Sequence, residues 1–222
     1  MDNMNENNIP EEKEETIQEK PVSSWKSGWK KELLDWIEAI VIAVVVALVL
    51  RNFVLTLALV DGASMERTLS HGDRLYVNKV FYSPEKGDIV IIDTDKHPQG
   101  PLVKRVIATE GDTIYIDRVS GMVYVNDELL EEDYIKGKTV LPVQKDNLGI
   151  VRGYYGELAE IFADPSYNRN NPIKLGEGEV FAMGDNRENS SDSRNLGIFT
   201  EDEIMGHAVF RFWPFNKIEM LD

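Results

Sequence analysis

Leu102-Val-Lys-Arg-Val-Ile-Ala-Thr-Glu-Gly-Asp-Thr-Ile-Tyr-Ile116 sets two short apolar runs on either side of a Thr-Glu-Gly-Asp turn. Short runs rich in Val, Ile and Tyr and bounded by Gly and Asp have the length and composition of strands. The same punctuation recurs at Leu75 to Val77, Ile89 to Ile92, Val180 to Met183 and Ala208 to Trp213. Met122 to Val125 meets Leu129 and Leu130 across Asn126-Asp127, a pair suited to a tight hairpin. No strand is followed by a helical pattern of the kind a parallel crossover needs, so a mainly β, antiparallel domain is expected over residues 53–222. Residues 136–178 interrupt it with several Gly and Pro and a possible short helix at Tyr155 to Phe162, and read as an inserted excursion.

Upstream the pattern changes to an uninterrupted apolar run, Ala39-Ile-Val-Ile-Ala-Val-Val-Val-Ala-Leu-Val-Leu50. Extended back to Leu33, with Asp35 and Glu38 reaching toward headgroups, it gives about 18 residues, or roughly 27 Å of helix, close to the hydrocarbon thickness of a bilayer. Trp25, Trp29 and Trp36 interleave with Lys26, Lys30 and Lys31 on one flank, as aromatic and basic residues do at a membrane interface. Residues 33–52 therefore read as a single transmembrane anchor. No small-x-small cleavage site follows, which favours a retained anchor over a removed signal peptide. The three lysines outnumber Arg51 on the far flank, so the N-terminus is expected in the cytoplasm and the β domain outside it. Residues 1–32, rich in Asn, Glu and Lys, read as a disordered tail and juxtamembrane segment.

A net charge of -15 with no basic cluster argues against a nucleic-acid partner. Cysteine is absent, which removes disulfides, thiolate metal sites and a Cys nucleophile. His71, His97 and His207 are scattered without a ligand spacing, so neither a metal nor a cofactor is expected.

Three places carry possible chemistry. Asp61-Gly-Ala-Ser-Met65 is a small-residue turn after the apolar stretch Phe53 to Val60, and would hold Ser64 exposed on tightly turning backbone. A serine needs a base. Lys104 lies on an extended run and shares a face with Leu102, Val106 and Ala108; desolvation there lowers a lysine pKa and makes the neutral amine a proton acceptor. Lys79, beyond Val77, is the second candidate base, while His71 and His97 sit in polar turns. Gly184-Asp-Asn-Arg-Glu-Asn-Ser-Ser-Asp-Ser-Arg-Asn-Leu-Gly197 is the densest polar stretch. Asp185, Arg187, Asp192 and Arg194 could hold a fixed ionic network there, and the Ser190 hydroxyl could orient a lysine amine.

Together, Ser64-Met-Glu-Arg-Thr-Leu69, Gly72-Asp73, Lys86-Gly-Asp88, Lys104-Arg-Val106, Gly111-Asp112 and the Gly184 to Gly197 stretch resemble the bacterial type I signal peptidase family, from the anchor to Phe212-Trp-Pro214. The resemblance implies a membrane-bound serine endopeptidase that removes signal peptides from exported preproteins after small residues of the Ala-x-Ala type, with preproteins and membrane lipid as partners. It assigns Ser64 as nucleophile, Lys104 as general base and the Ser64 N–H to the oxyanion hole. Ser190 matches the serine that holds the lysine, and Arg105, Asp185, Asp192 and Arg194 match residues that keep the site rigid. Shallow apolar pockets would be lined by Leu57, Leu59 and Met65. The chain departs from the family at two positions: Gly62 stands where some members carry a second oxyanion hydroxyl, and Arg67 stands where proline is usual, which is expected to loosen the turn. Two other readings are a self-cleaving repressor-type Ser-Lys peptidase and an inactive membrane-tethered β domain that binds exported proteins.

Overall fold

The computed structural model describes residues 25–49, 55–145 and 151–221. The expected tail up to residue 24 and the end of the expected anchor, residues 50–52, lie outside the described residues. The chain divides into two compact units, residues 1–46 and 47–222.

The first unit is helical: α1 runs from Trp25 to Val49. From Leu33 to Leu48 every large apolar side chain is exposed, so the helix is apolar around its circumference and covers none of it. Among the described residues no helix is long and apolar enough to cross a membrane. The described side chains stop at Leu48, and lengthening the apolar stretch backward takes in Lys31, Glu32, Asp35 and Glu38.

The second unit is built from antiparallel strands. In chain order these are β1 (Leu55–Leu59), β2 (Arg74–Asn78), β3 (Ile89–Ile92), β4 (Leu102–Ala108), β5 (Thr113–Ile116), β6 (Val123–Val125) and β7 (Glu128–Leu129). After them come β8 (Val143–Lys145), β9 (Val151–Tyr154), β10 (Ile173–Lys174), β11 (Glu179–Met183), β12 (Phe199–Thr200), β13 (Ile204–Trp213) and β14 (Glu219–Met220). Two short helices interleave, α2 (Ala159–Ala163) and α3 (Ser193–Leu196). The main sheet runs β1-β2-β13-β3-β4-β11-β12 with β14 on β13; β10-β5-β6-β7 form a second sheet and β8-β9 a ribbon.

Strand β4 lies between β3 and β11, with Lys104 opposite Val90 and Arg105 opposite both Ile89 and Met183. A central strand is covered on both faces, and Lys104, Arg105 and the residues from Val106 to Ala108 are all buried. Asn126 and Asp127, at φ 51° and 66°, supply the left-handed pair that a two-residue hairpin between β6 and β7 requires. The stretch before the serine turn, read only as a greasy surface, is the edge strand β1, paired with β2 from Leu55 opposite Asn78 to Leu59 opposite Arg74. Residues of the expected excursion complete a core: Leu158, Phe162, Tyr167, Ile173 and Leu175 are buried with Ile114, Ile116, Val123 and Phe181. The Tyr167 hydroxyl accepts from the Ile116 N–H at 2.8 Å.

Candidate active site

Ser64 stands in the turn that follows β1. Gly62 takes φ 91°, a conformation glycine adopts without the Cβ penalty, and lets the chain reverse. The reversal is closed by backbone bonds from Val60 N to Asp73 O and from Gly72 N to Val60 O, each 2.9 Å. The Ser64 side chain meets Lys104 across the sheet: Lys104 Nζ donates to Ser64 Oγ at 3.0 Å and to the Val103 carbonyl at 2.9 Å.

Lys104 is 2% exposed. Burial strips the ammonium of hydration and pushes its pKa down from 10.5 to about 8, with Arg194 adding to the shift and Asp192 and Asp185 opposing it. A lysine so placed holds a substantial neutral fraction near neutral pH. Its lone pair can then accept the hydroxyl proton from the serine it already touches.

The polar stretch 184–197 wraps this pair from behind. Asp185 is fully buried and takes both arms of Arg105, Nε to Oδ1 at 3.0 Å and Nη2 to Oδ2 at 2.9 Å, and the Thr68 hydroxyl donates to Oδ2 at 2.5 Å. Arg105 reaches on to the Gly87 carbonyl at 2.7 Å. Asp192, also fully buried, receives Arg194 through Nε and Nη2 at 2.8 Å each and the Gly184 N–H at 3.0 Å. Burial alone would raise the Asp192 pKa; the Arg194 charge and these hydrogen bonds overcome it and hold the carboxyl below its ordinary value. Asp192 is also the N-cap of α3, in a reciprocal capping box with Asn195.

Two contributors were not legible in the sequence. Asn186 clamps the Ser64 turn, its N–H donating to Ser64 O at 2.9 Å and its side-chain amide to Ala63 O at 3.0 Å. Gly184 allows the same approach: a Cβ there would lie 2.5 Å from the Ser64 carbonyl and 2.3 Å from Ser190 Oγ. Residues 132–139, inside and just before the expected excursion, are docked on this network. Glu132 pairs with buried Arg187, the Tyr134 ring lies under Arg105 at 4.2 Å, and Thr139 Oγ1 accepts from Arg187 at 2.6 Å.

Two expectations are corrected. Met65 lines neither of the two clefts beside Ser64; it is 1% exposed and fills the core with Val60, Leu69, Leu75 and Val77, because the turn directs the residue after Ser64 inward. Ser190 does not hydrogen-bond Lys104, whose amine is satisfied by Ser64 and Val103. Its buried hydroxyl meets no hydrogen-bond geometry among the described residues, although it lies near enough to Asp192 to favour that carboxylate.

The other site residues converge. A cleft of about 390 Å³ has Ser64 and Lys104 in its wall beside Leu59, Gly62, Ala63 and His97. It adjoins a second of about 340 Å³ along β1, lined by Leu57, Leu59, Val77, Ile91, Val103 and Met205. Lys79 is exposed and outside both. Among the described residues no group of three His, Asp or Glu side chains is placed to hold a metal ion.

The family model described as signal peptidase, peptidase S26, matches residues 33–213. Signal peptidase I T of Bacillus subtilis (strain 168) is 39% identical over 209 residues, covering 90% of this chain and 97% of its own. Signal peptidase I S of the same strain is 37% identical over 193 residues, covering 85% and 94%. Signal peptidase IB of Staphylococcus aureus (strain N315) is 34% identical over 194 residues, covering 86% and 94%.

Proposed function

This chain belongs to the peptidase S26 family of signal peptidases and is a serine endopeptidase, and on that premise we propose that it cleaves signal peptides from exported preproteins with a Ser64–Lys104 dyad. The observation that carries the dyad is the 3.0 Å contact between Ser64 Oγ and an amine whose pKa burial has lowered to about 8.

In this reading Ser64 Oγ attacks the scissile carbonyl as its proton passes to Lys104 Nζ. The tetrahedral oxyanion forms next to the Ser64 N–H, which donates to no other group among the described residues. One such preorganised donor is worth about 3 kcal/mol in the transition state. Lys104 then gives its proton to the leaving amine, the C–N bond breaks and an acyl-enzyme remains. A water deprotonated by Lys104 attacks the ester and returns Ser64. Arg105, Asp185, Asp192 and Arg194 make no bonds to substrate in this scheme; they fix the strand and turn that hold the dyad.

Substrates enter along the groove beside β1, where Leu57 and Leu59 offer an apolar wall for the small side chains expected before the bond. The apolar circumference of α1 supports a membrane anchor, and the Lys26, Lys30 and Lys31 bias supports a cytoplasmic N-terminus with the β domain outside. The decisive assay incubates detergent-solubilised protein with a labelled Ala-x-Ala preprotein. Wild type is expected to release the mature protein, and Ser64→Ala and Lys104→Ala to leave the precursor intact. Cleavage by either variant removes the dyad, and equal cleavage of a bulky-residue preprotein removes the small-pocket specificity.

A further inference from the structure

We propose that Arg67 is a positioning residue: its guanidinium ties the turn that carries Ser64 to residues 133–136 and thereby holds the hydroxyl on Lys104. The proposal rests on Ser64 being the nucleophile. The sequence reading expected an arginine at this position to loosen the turn. Instead Arg67 Nη1 donates to two backbone carbonyls at once, Asp133 O at 3.0 Å and Ile135 O at 2.9 Å. A charged donor set between two carbonyls gives short, directional bonds.

The neighbouring residue makes a second tie to the same segment, Glu66 Oε2 accepting from Lys136 Nζ at 2.5 Å. That segment is itself pinned to the support network. The Lys136 N–H donates to Asp185 O at 2.7 Å, and the Arg187 N–H donates to Lys136 O at 3.0 Å. Asn186, between those two partners, returns to Ser64 O and Ala63 O. A closed circuit results, from Ser64 through Glu66 and Arg67 to Ile135 and Lys136, then through Asp185 and Asn186 back to Ser64. Without Arg67 the turn keeps the exposed Glu66–Lys136 pair, the Thr68–Asp185 bond and the Asn186 bonds, and loses both ties to the backbone carbonyls of Asp133 and Ile135. A displacement of about 1 Å at a reacting group costs on the order of a hundredfold in rate, so a partial release is enough to show in kcat.

The test uses the full-length chain in detergent with an Ala-x-Ala preprotein. Arg67→Met and Arg67→Ala are expected to lower kcat about tenfold while KM stays within about twofold, because substrate contacts are untouched. Arg67→Lys, whose ammonium can also donate to both carbonyls, should stay within about threefold of wild-type kcat. A wild-type kcat in Arg67→Met, or a loss confined to KM, overturns the proposal. An inactive Ser64→Ala control shows that such a result concerns Arg67 alone; a Ser64→Ala that still cleaves overturns the nucleophile reading and this proposal with it. If Arg67→Met lacks a native melting transition, Lys136→Met decides, since it cuts the parallel tie between exposed groups. A kcat lowered about threefold at constant KM then supports the circuit, and an unchanged kcat overturns it.

Discussion

Lys104 carries a conflict that a single substitution can expose. Its pKa in the folded protein, about 8, lies below the ordinary 10.5, so between those values the unfolded chain binds more protons than the folded one and stability rises with pH. Below pH 8 the whole cost is present, about 3 kcal/mol at 1.36 kcal/mol per pH unit. Lys104→Met keeps the volume and removes the ionisable group; it is expected to unfold at higher denaturant at pH 7, by about 1–3 kcal/mol, with the gain shrinking toward pH 10.5 and cleavage lost. A Lys104→Met protein less stable than wild type at pH 7 would contradict the desolvation account. The same titration sets activity: kcat/KM should climb as pH approaches 8 and level off above it, and an acidic optimum would rule out a neutral amine as base. The contact of Ser64 with Lys104 at 3.0 Å is one that sequence could suggest, because each residue type brings a distinct chemistry and strand alternation places the lysine among aliphatics. Met65 was misassigned because the direction of a side chain leaving a tight turn follows from φ and ψ, which residue identity does not fix. Asn186 went unread because its function is to reach two carbonyls of a distant turn, and nothing in a polar stretch marks one amide from another.

At the scale of elements, the site is a contact between β4 and the 184–197 stretch, and its tolerance is set by what stands between them. Gly184→Ala would drive a methyl to within 2.5 Å of the Ser64 carbonyl, a backbone atom with no freedom to yield. Loss of cleavage by at least about a hundredfold and a lower melting temperature are expected, and a fully active Gly184→Ala enzyme would show that the turn can shift without consequence. Asp185 joins Arg105 from β4 to Thr68 from the Ser64 turn, with both charges buried. Asp185→Ala leaves the Arg105 guanidinium without its counter-charge and should cost about 3–5 kcal/mol in a denaturant titration. Replacing Arg105 with methionine and Asp185 with valine, closer in volume to the residues removed, should recover much of that, because no buried charge is then left alone. Strands β3, β4 and β5 have the bounds the sequence suggested, since each is a β-branched run stopped by Gly, Asp or Thr. Strand β1 was missed: its apolar run adjoins the anchor, and hydrophobicity alone does not tell one from the other. Two-residue strands such as β10, β12 and β14 exist only through their partners, so no local pattern announces them.

At the scale of the whole chain, one unit holds a helix whose large apolar side chains are exposed and the other a β fold with cores of its own. Eleven large apolar side chains from Leu33 to Leu48 stand exposed on α1, a quantity of surface that water tolerates poorly and that a bilayer solvates without cost. For the proposed anchor, the short apolar run and the acidic residues at Asp35 and Glu38 make length the weak point, so a charge near its middle should be decisive. If the helix inserts as proposed, Val45→Asp adds about 2.5–3.5 kcal/mol to its insertion. The variant is expected to shift from the membrane pellet toward the soluble fraction, while Val45→Leu stays in the pellet. The proposed orientation rests on charge asymmetry: protease added outside intact spheroplasts should digest or release the β unit, and a tag before Met1 should be reached only after lysis. Moving the basic excess, by Lys26→Gln, Lys30→Gln and Lys31→Gln with lysines introduced beyond Arg51, should invert part of the population. On the proposed function, in which preproteins are met outside the cytoplasm, precursor processing should fall in proportion to the inverted fraction, even with Ser64 and Lys104 intact. Full processing by an inverted population would separate the catalytic reading, which would stand, from the topological one, which would fall.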